Sequence, residues 1–421
     1  AHHMAASKAA DAVYGVTPPR TARMLRELLY NAFYVTDHAT HFYVLSGPDL
    51  IMGPDAPKAE RNILGVVKKV GAEVGKKVID ARHAGHRVIE IIGGRRIHPC
   101  TGVPGGMTKA ISEEERDEIK GLADAMVEFA DFSLDLLGGM LEQEDIEEIV
   151  RGDLYTHETY YSGLVDANDK VTFYDGQIRV VAPDGSEHGR YEPKDYRDWI
   201  DEKVEPWTFL KFPYLKKVGW KGLVDGADSG MYTVAPLGRL NVASGMATPK
   251  AQAAHEQDFE TPAPDGGPVH SRGATHRARL LELTQAAETV QALVNDPEIT
   301  SPEVRVVPTE TPTEGVGTVE APRGTLTHHY WTDENGVITR VNLIVGTTNN
   351  YGPIAMSVDK AAKSLISKGT VVTDGLLDRI EMGFRAYDPC FGCATHTMPG
   401  QMPMVVTIRD KDGRQLQELR R

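Results

Sequence analysis

Apolar residues at helical spacing recur over long stretches of this chain, separated by strand-like and Gly/Pro-rich segments. That alternation limits the fold more than any single residue does. Thr21 to Leu45 sets Met24, Leu25, Leu28, Leu29 and Phe33 on one face and continues through His38-Ala39-Thr40-His41-Phe42-Tyr43. Ala56 to Ile92 reads as a second long helix stopped by Gly93-Gly94. Ser112 to Asp145 reads as a third, with Ser112 and Glu115 placed for a capping box. Thr275–Asn295, Pro353–Ser367 and Gly375–Tyr387 read as further helices. Val171 to Tyr191 alternates around Asp175-Gly176 and Asp184-Gly185 as a small β-meander, and Val316 to Val345 is strand-like with a hairpin turn at Asp333-Glu334-Asn335-Gly336. Residues 245–270 are polar and Pro/Gly-rich, which predicts a surface loop. No internal repeat and no clean linker interrupt the chain. The pattern predicts an α+β fold, mainly α, in one intertwined domain.

At 421 residues the chain is long enough for a well-buried core, and 41% hydrophobic with 25% charged residues is ordinary for a globular protein. A formal net charge of −14 argues against indiscriminate binding to nucleic acid or anionic membranes. No apolar run reaches the ~18 residues of a membrane span, and there is no signal peptide with a basic start and apolar core. Three cysteines, two of them close together, argue for a reducing compartment and hence a cytoplasmic protein.

Those two cysteines lie in Asp388-Pro389-Cys390-Phe391-Gly392-Cys393-Ala394-Thr395-His396. Thiols at i and i+3, flanked by a carboxylate and an imidazole, can hold a soft or borderline metal. Read alone, the motif is half of a zinc or iron–sulfur site, a redox dithiol, or two ordinary buried thiols. There is no second Cys-x-x-Cys, so a self-contained four-thiolate site is excluded. His38 and His41, with Asp37 beside them, share a helix face as either a ligand pair or core histidines. Gly93-Gly94-Arg95-Arg96-Ile97-His98-Pro99-Cys100 leads to Gly105-Gly106, where close backbone approach is expected; a helix precedes it, so a phosphate cradle is disfavoured. Cys100 alone reads as a packed thiol. Glu320-Ala321-Pro322-Arg323-Gly324 puts an arginine in a tight turn, either as an exposed turn residue or as a guanidinium held over a site, where it stays charged.

Together these motifs, in this order, resemble the large subunit of nickel–iron hydrogenases over nearly the whole chain. The segment Leu343-Ile344-Val345-Gly346-Thr347-Thr348-Asn349-Asn350 looks like the cytoplasmic hydrogenases of methanogens and relatives, most like the heterodisulfide-reductase-linked type rather than the deazaflavin-reducing type. The resemblance implies long central helices with peripheral sheets over 1–396. It also implies a nickel–iron centre with carbonyl and cyanide ligands, and heterolytic cleavage of dihydrogen. Cys390 would be the terminal nickel ligand and proton acceptor, and Cys393 would bridge nickel and iron. Arg323 would stand over the open metal position, oriented by Asp37 and Asp388. Ala321, Pro322 and Thr347 would line the diatomic-ligand pocket. His396 and the Leu343 carbonyl would bind a structural magnesium, and His2, His38 and His41 would lie around the centre. Three cysteines are too few for electron-transfer clusters, so the expected partners are an iron–sulfur small subunit with further electron-acceptor subunits.

The family also has an N-terminal Cys-x-x-Cys and a proton-relay glutamate upstream of the position of His2. Ala1-His2-His3-Met4 runs straight into a helix read over Ala5 to Val16, so a lost front is expected. Residues 397–421 are expected to be a C-terminal extension removed after His396. Their Met402 to Ile408 run and Asp412-Gly413 turn read as a strand that pairs with a sheet. Two other readings are a nickel-free member of an electron-transfer complex and a non-catalytic assembly subunit. Intact Cys390, Cys393 and Arg323 argue against the first, and metal content separates both from the enzyme.

Overall fold

A computed structural model of the chain describes residues 1–57, 59–258, 267–389 and 405–420. It divides into two units, Ala1–Asp388 and Pro389–Arg421. In the first, helix α1 spans His2–Val13 and α2 Arg20–Ala39, followed by π-helical turns at Thr40–Leu45 and Pro48–Met52. Then come α3 Ile63–Val70, α4 Ala72–Gly93, α5 Glu113–Leu141 and α6 Glu144–Arg151. Later helices are α7 Tyr196–Trp199, α8 Ala235–Val242, α9 Pro249–Asp258, α10 Thr275–Val294, α11 Gly346–Asn349, α12 Tyr351–Leu365 and α13 Asp374–Arg385. The core lies where α2, α4, α5 and α10 pack on one another. Helix α10 is buried without a break from Thr275 to Ala287, although that stretch carries His276, Arg277, Arg279, Glu282 and Gln285. Polar groups so placed must find partners inside the protein.

The strands are β1 Gly102–Val103, β2 Gly106–Met107, β3 Tyr160–Val165, β4 Gln177–Val181, β5 Glu187–Tyr191, β6 Ile200–Val204, β7 Lys211–Leu215, β8 Tyr232–Thr233, β9 Glu314–Ala321, β10 Gly324–Thr332 and β11 Ile338–Ile344. One sheet runs β5-β4-β3-β8, and another runs β11-β10-β9 with all neighbours antiparallel. Helix α1 lies directly on β9 at two glycines. A Cβ at Gly317 would stand 2.2 Å from Ala5 O and Ala9 N, and one at Gly315 would stand 2.3 Å from Val13 N. In the second unit, β12 Val405–Arg409 and β13 Gln415–Arg420 form an antiparallel hairpin. The Met402–Ile408 run was expected to join a sheet. From Val405 on it pairs with the chain's own last strand, and 402–404 lie outside the described residues.

Most expected helices appear near their predicted bounds, and the Ser112–Glu115 capping box is present in full. Three readings need correction. Ala56 to Ile92 is not one helix: turns precede Asn62, whose side chain caps α3, and Gly71 at φ +96 breaks α3 from α4. Val171 to Asp175 is not a strand but a loop with a single bridge, Val165↔Val171; the inner strand there is β3. Residues 245–270 include α9, whose first amides Lys250 and Ala251 donate to Glu288 of α10, a cap supplied from another helix. Residues 259–266 of that stretch lie outside the described residues.

Candidate functional site

The β9–β10 connection is the tightest possible. Ala321 pairs with Gly324, leaving Pro322 and Arg323 as the two loop residues. Gly324 has φ +128, and a Cβ there would fall 2.2 Å from Val234 Cγ2. Only glycine fits this backbone. Gly346 is packed on the same turn, since its Cβ would lie 2.9 Å from Gly324 O and 3.1 Å from the Arg323 carbonyl carbon. Thr347, the next residue of α11, is thereby placed beside the turn.

Two acids from distant parts of the chain meet Arg323. Its Nη1 lies 3.2 Å from Asp37 Oδ1 at the end of α2, and its Nη2 lies 3.2 Å from Asp388 Oδ2. Asp388 is buried at φ +57, a conformation that Asp tolerates better than most residues. It also stands 3.5 Å from Arg279 Nη1 and 3.9 Å from His41 Nε2. Burial works against the Arg323 charge, yet Asp37 and Asp388 more than offset it and its pKa is raised. Burial raises the Asp388 carboxyl to about 7, against the opposing pull of Arg279 and Arg323. Arg323 Nε, Asp37 Oδ2 and Asp388 Oδ2 are buried and have no hydrogen-bond partner among the described residues. Such a cluster of unpaired polar atoms marks a place where a further group is needed.

His38 and His41 are core histidines rather than a ligand pair. His38 Nε2 is 2.9 Å from Glu282 Oε2, and His41 Nε2 donates to Arg385 O at 3.0 Å. Burial depresses both, His38 to about 4, so both imidazoles are neutral. His2 Nδ1 is 2.9 Å from His328 Nε2, and His328 pairs across β10–β11 with Leu343, whose side chain is exposed. Ala321 is buried, and Pro322 lies in the Arg323 turn itself. A cavity of about 390 Å³ opens beside Asp37, walled by Ala1, His3, Tyr30, Thr36 and His86. Cys100 is an exposed free thiol, not the packed one expected. Gly105 and Gly106 do make the predicted close approach, on the carbonyls of Val306 and Val304. Cys390, Cys393 and His396 lie outside the described residues. Among the described residues no three His, Cys, Asp or Glu side chains gather as a metal site.

One part of the site was not anticipated. Arg239 of α8 lies fully buried between Glu282 and Glu320, and Arg279 of α10 lies fully buried against His38 and Asp388. The available signal was the run of charged residues inside α10 combined with its apolar neighbours.

The family model described as nickel-dependent hydrogenase matches residues 1–73 and 139–396. The chain belongs to the nickel-dependent hydrogenase family. It is a large, catalytic subunit of that family, an oxidoreductase acting on dihydrogen. It is 46% identical over 420 residues to the iron-sulfur subunit of the F420-non-reducing hydrogenase of Archaeoglobus profundus, covering 100% of this chain and 86% of that protein. Over 440 residues it is 35% identical to the beta subunit of the NAD-reducing hydrogenase HoxS of Cupriavidus necator, covering 99% and 86%. Its structure matches that of an NAD+-reducing [NiFe]-hydrogenase in the H2-reduced state with a TM-score of 0.86 and 36% identity, over 94% of this chain and 85% of that one. The Ni-Fe-Se hydrogenase of D. vulgaris Hildenborough shares the fold, with a TM-score of 0.69 at 20% identity. The mainly α, α+β fold predicted for this hydrogenase is thus the family's.

Proposed function

We propose that this hydrogenase chain cleaves dihydrogen heterolytically and reversibly at a nickel–iron centre and passes the electrons to an iron–sulfur small subunit. The observation that carries the reading is Arg323, fixed in a two-residue turn between Asp37 and Asp388. The donor chemistry suits the group. Soft thiolates at Cys390 and Cys393 favour nickel, and the unpaired polar atoms around Arg323 call for a neighbour. When bound, the nickel–iron centre supplies the Lewis acidity and the redox change that the reaction needs.

Arg323 presents N–H donors and no acceptor, so its contribution is a fixed positive charge and not a proton sink. Asp37 and Asp388 hold its plane; a single carboxylate would leave it free to swing. The proton is assigned to the Cys390 thiolate. Cys393 is the thiolate shared by nickel and iron. Ala321, Pro322 and Thr347 line the pocket for the carbonyl and cyanide ligands. His396 and the Leu343 carbonyl are assigned to a structural magnesium.

The electron acceptor is proposed to be of the heterodisulfide-reductase type, which the relative's description as F420-non-reducing supports over a deazaflavin-reducing type. A cytoplasmic location fits the absence, among the described residues, of any helix long and apolar enough to cross a membrane. The test is metal analysis of the anaerobically purified complex, with Cys390→Ser and Cys393→Ser alongside. Equimolar nickel and iron are expected in the parent protein. Loss of nickel and of hydrogen uptake is expected in each variant, because a hydroxyl is a poor ligand for a soft metal site. Full uptake by either variant would end the assignment.

A further inference from the structure

Three consecutive carbonyls lead into Arg323, and every one is held by a buried donor. Tyr30 and Tyr34 of α2 both donate to Glu320 O, at 2.5 and 2.7 Å. Arg239 donates through Nη1 to Ala321 O at 2.8 Å and through Nη2 to Pro322 O at 3.4 Å. The same guanidinium binds the Glu320 carboxylate at 2.7 Å and grips Glu282 of α10 through Nε and Nη2, at 2.5 and 2.7 Å. Glu320 in turn accepts from Thr325 Oγ1 at 2.8 Å and from the Leu164 amide of β3 at 3.0 Å. Arg239, Glu282 and Glu320 are all 0% exposed.

One planar cation thus ties α8, α10 and β9 to the turn that carries Arg323. It stands 5.9 Å from the rings of both Tyr34 and Phe173, which stack on each other at 4.0 Å. A lysine cannot reproduce this, since it offers a point charge where the site uses a fork with three donor nitrogens. Buried ion pairs are weak sources of stability, because desolvation offsets most of their attraction. The helix that presents Arg239 begins at Ala235 with φ +71, a strained conformation that persists only where its surroundings impose it. Both facts suit a device that sets geometry.

We propose that Arg239 is a positioning residue for Arg323. It fixes the Ala321 and Pro322 carbonyls so that the Arg323 guanidinium stays between Asp37 and Asp388, and it acts on the reaction only through that turn. The proposal rests on the assignment of Arg323 to dihydrogen.

The experiment compares Arg239→Lys, Arg323→Lys and the double variant in the assembled, nickel-loaded enzyme. It reads turnover, KM for dihydrogen, metal content and amide hydrogen exchange. Arg239→Lys is expected to keep its metals and its KM while turnover falls about ten- to a hundredfold. Exchange should rise at Leu164 and across residues 320–325, with α4 and α5 unchanged. Adding Arg239→Lys to Arg323→Lys should cost little further turnover, because residues that act through one another are not additive. Wild-type turnover and protection in Arg239→Lys overturn the proposal, and so does an equal fold-loss in both backgrounds. Wild-type turnover in Arg323→Lys with loosening at Leu164 in Arg239→Lys would remove Arg323 from the chemistry while supporting the hold of Arg239 on the turn. If Arg239→Lys does not fold, Glu282→Gln takes its place. It keeps the shape, weakens the anchor of Arg239, and must give the same pattern, or the proposal fails.

Discussion

At the scale of single residues, Arg323 combines a charge that cannot be titrated away with a backbone that cannot move. Arg323→Lys keeps the charge but loses the planar fork spanning two carboxylates. The expected outcome is full metal content with hydrogen uptake reduced about a hundredfold, the scale of removing one preorganised donor. Uptake at the wild-type rate would return Arg323 to the role of a turn residue. The Pro/Gly frame made this arginine visible in the sequence, and Asp37 and Asp388 became candidates through the family resemblance. Arg239 and Glu282 stayed hidden because their meaning lies in pairs made across the fold. Arg239 reaches partners 43 and 81 positions away, and no local spacing announces that. His38 and His41 show the converse. Their i, i+3 spacing was real, but the two rings look to different partners, Glu282 and Arg385.

At the scale of elements, legibility followed periodicity. Strands β9 to β11 and helices α2, α5 and α10 carry long regular patterns and emerged near their predicted bounds. The failures lie where one residue or a distant cap decides: Gly71 splits α3 from α4, and Glu288 of α10 secures a polar α9 that has no apolar stripe of its own. The packing of α1 on β9 gives a test at this scale. A methyl at Gly317 would meet the α1 backbone at Ala5 O and Ala9 N, atoms that no rotamer change can move. Gly317→Ala is therefore expected to destabilise the protein by about 1–3 kcal/mol, the usual cost of overpacking. Gly121 in α5 has open space around it, and Gly121→Ala is expected to stabilise by up to about 1 kcal/mol through helix propensity. Denaturant midpoints of the two variants should move in opposite directions. A shift of both in the same direction would refute the close packing of α1.

At the scale of the whole molecule, the fate of the tail and the response to pH can both be tested. The extension 397–421 is proposed to leave on maturation, so the active nickel-loaded chain should have an intact mass ending at His396; one ending at Arg421 in fully active protein would reject cleavage. The pH response follows from buried imidazoles. His38, His41, His157 and His276 are all buried, and desolvation lowers each of them, His38 to about 4 and His276 to about 3. Unfolded, they titrate near 6.5. A depressed folded pKa contributes stability that is present above the unfolded value and lost as pH falls toward the folded one. Between about pH 6.5 and 4 the unfolded chain therefore takes up protons that the native chain refuses. Asp388 works in the opposite sense, because its raised pKa lets the native state hold a proton that the unfolded state has released. Four imidazoles outweigh one carboxyl. Each net proton contributes a slope of about 1.4 kcal/mol per pH unit. The denaturant midpoint should fall clearly from pH 7 to pH 5, and His276→Gln should flatten that fall. A midpoint that holds steady or rises on acidification would mean that these histidines are not neutral in the native interior.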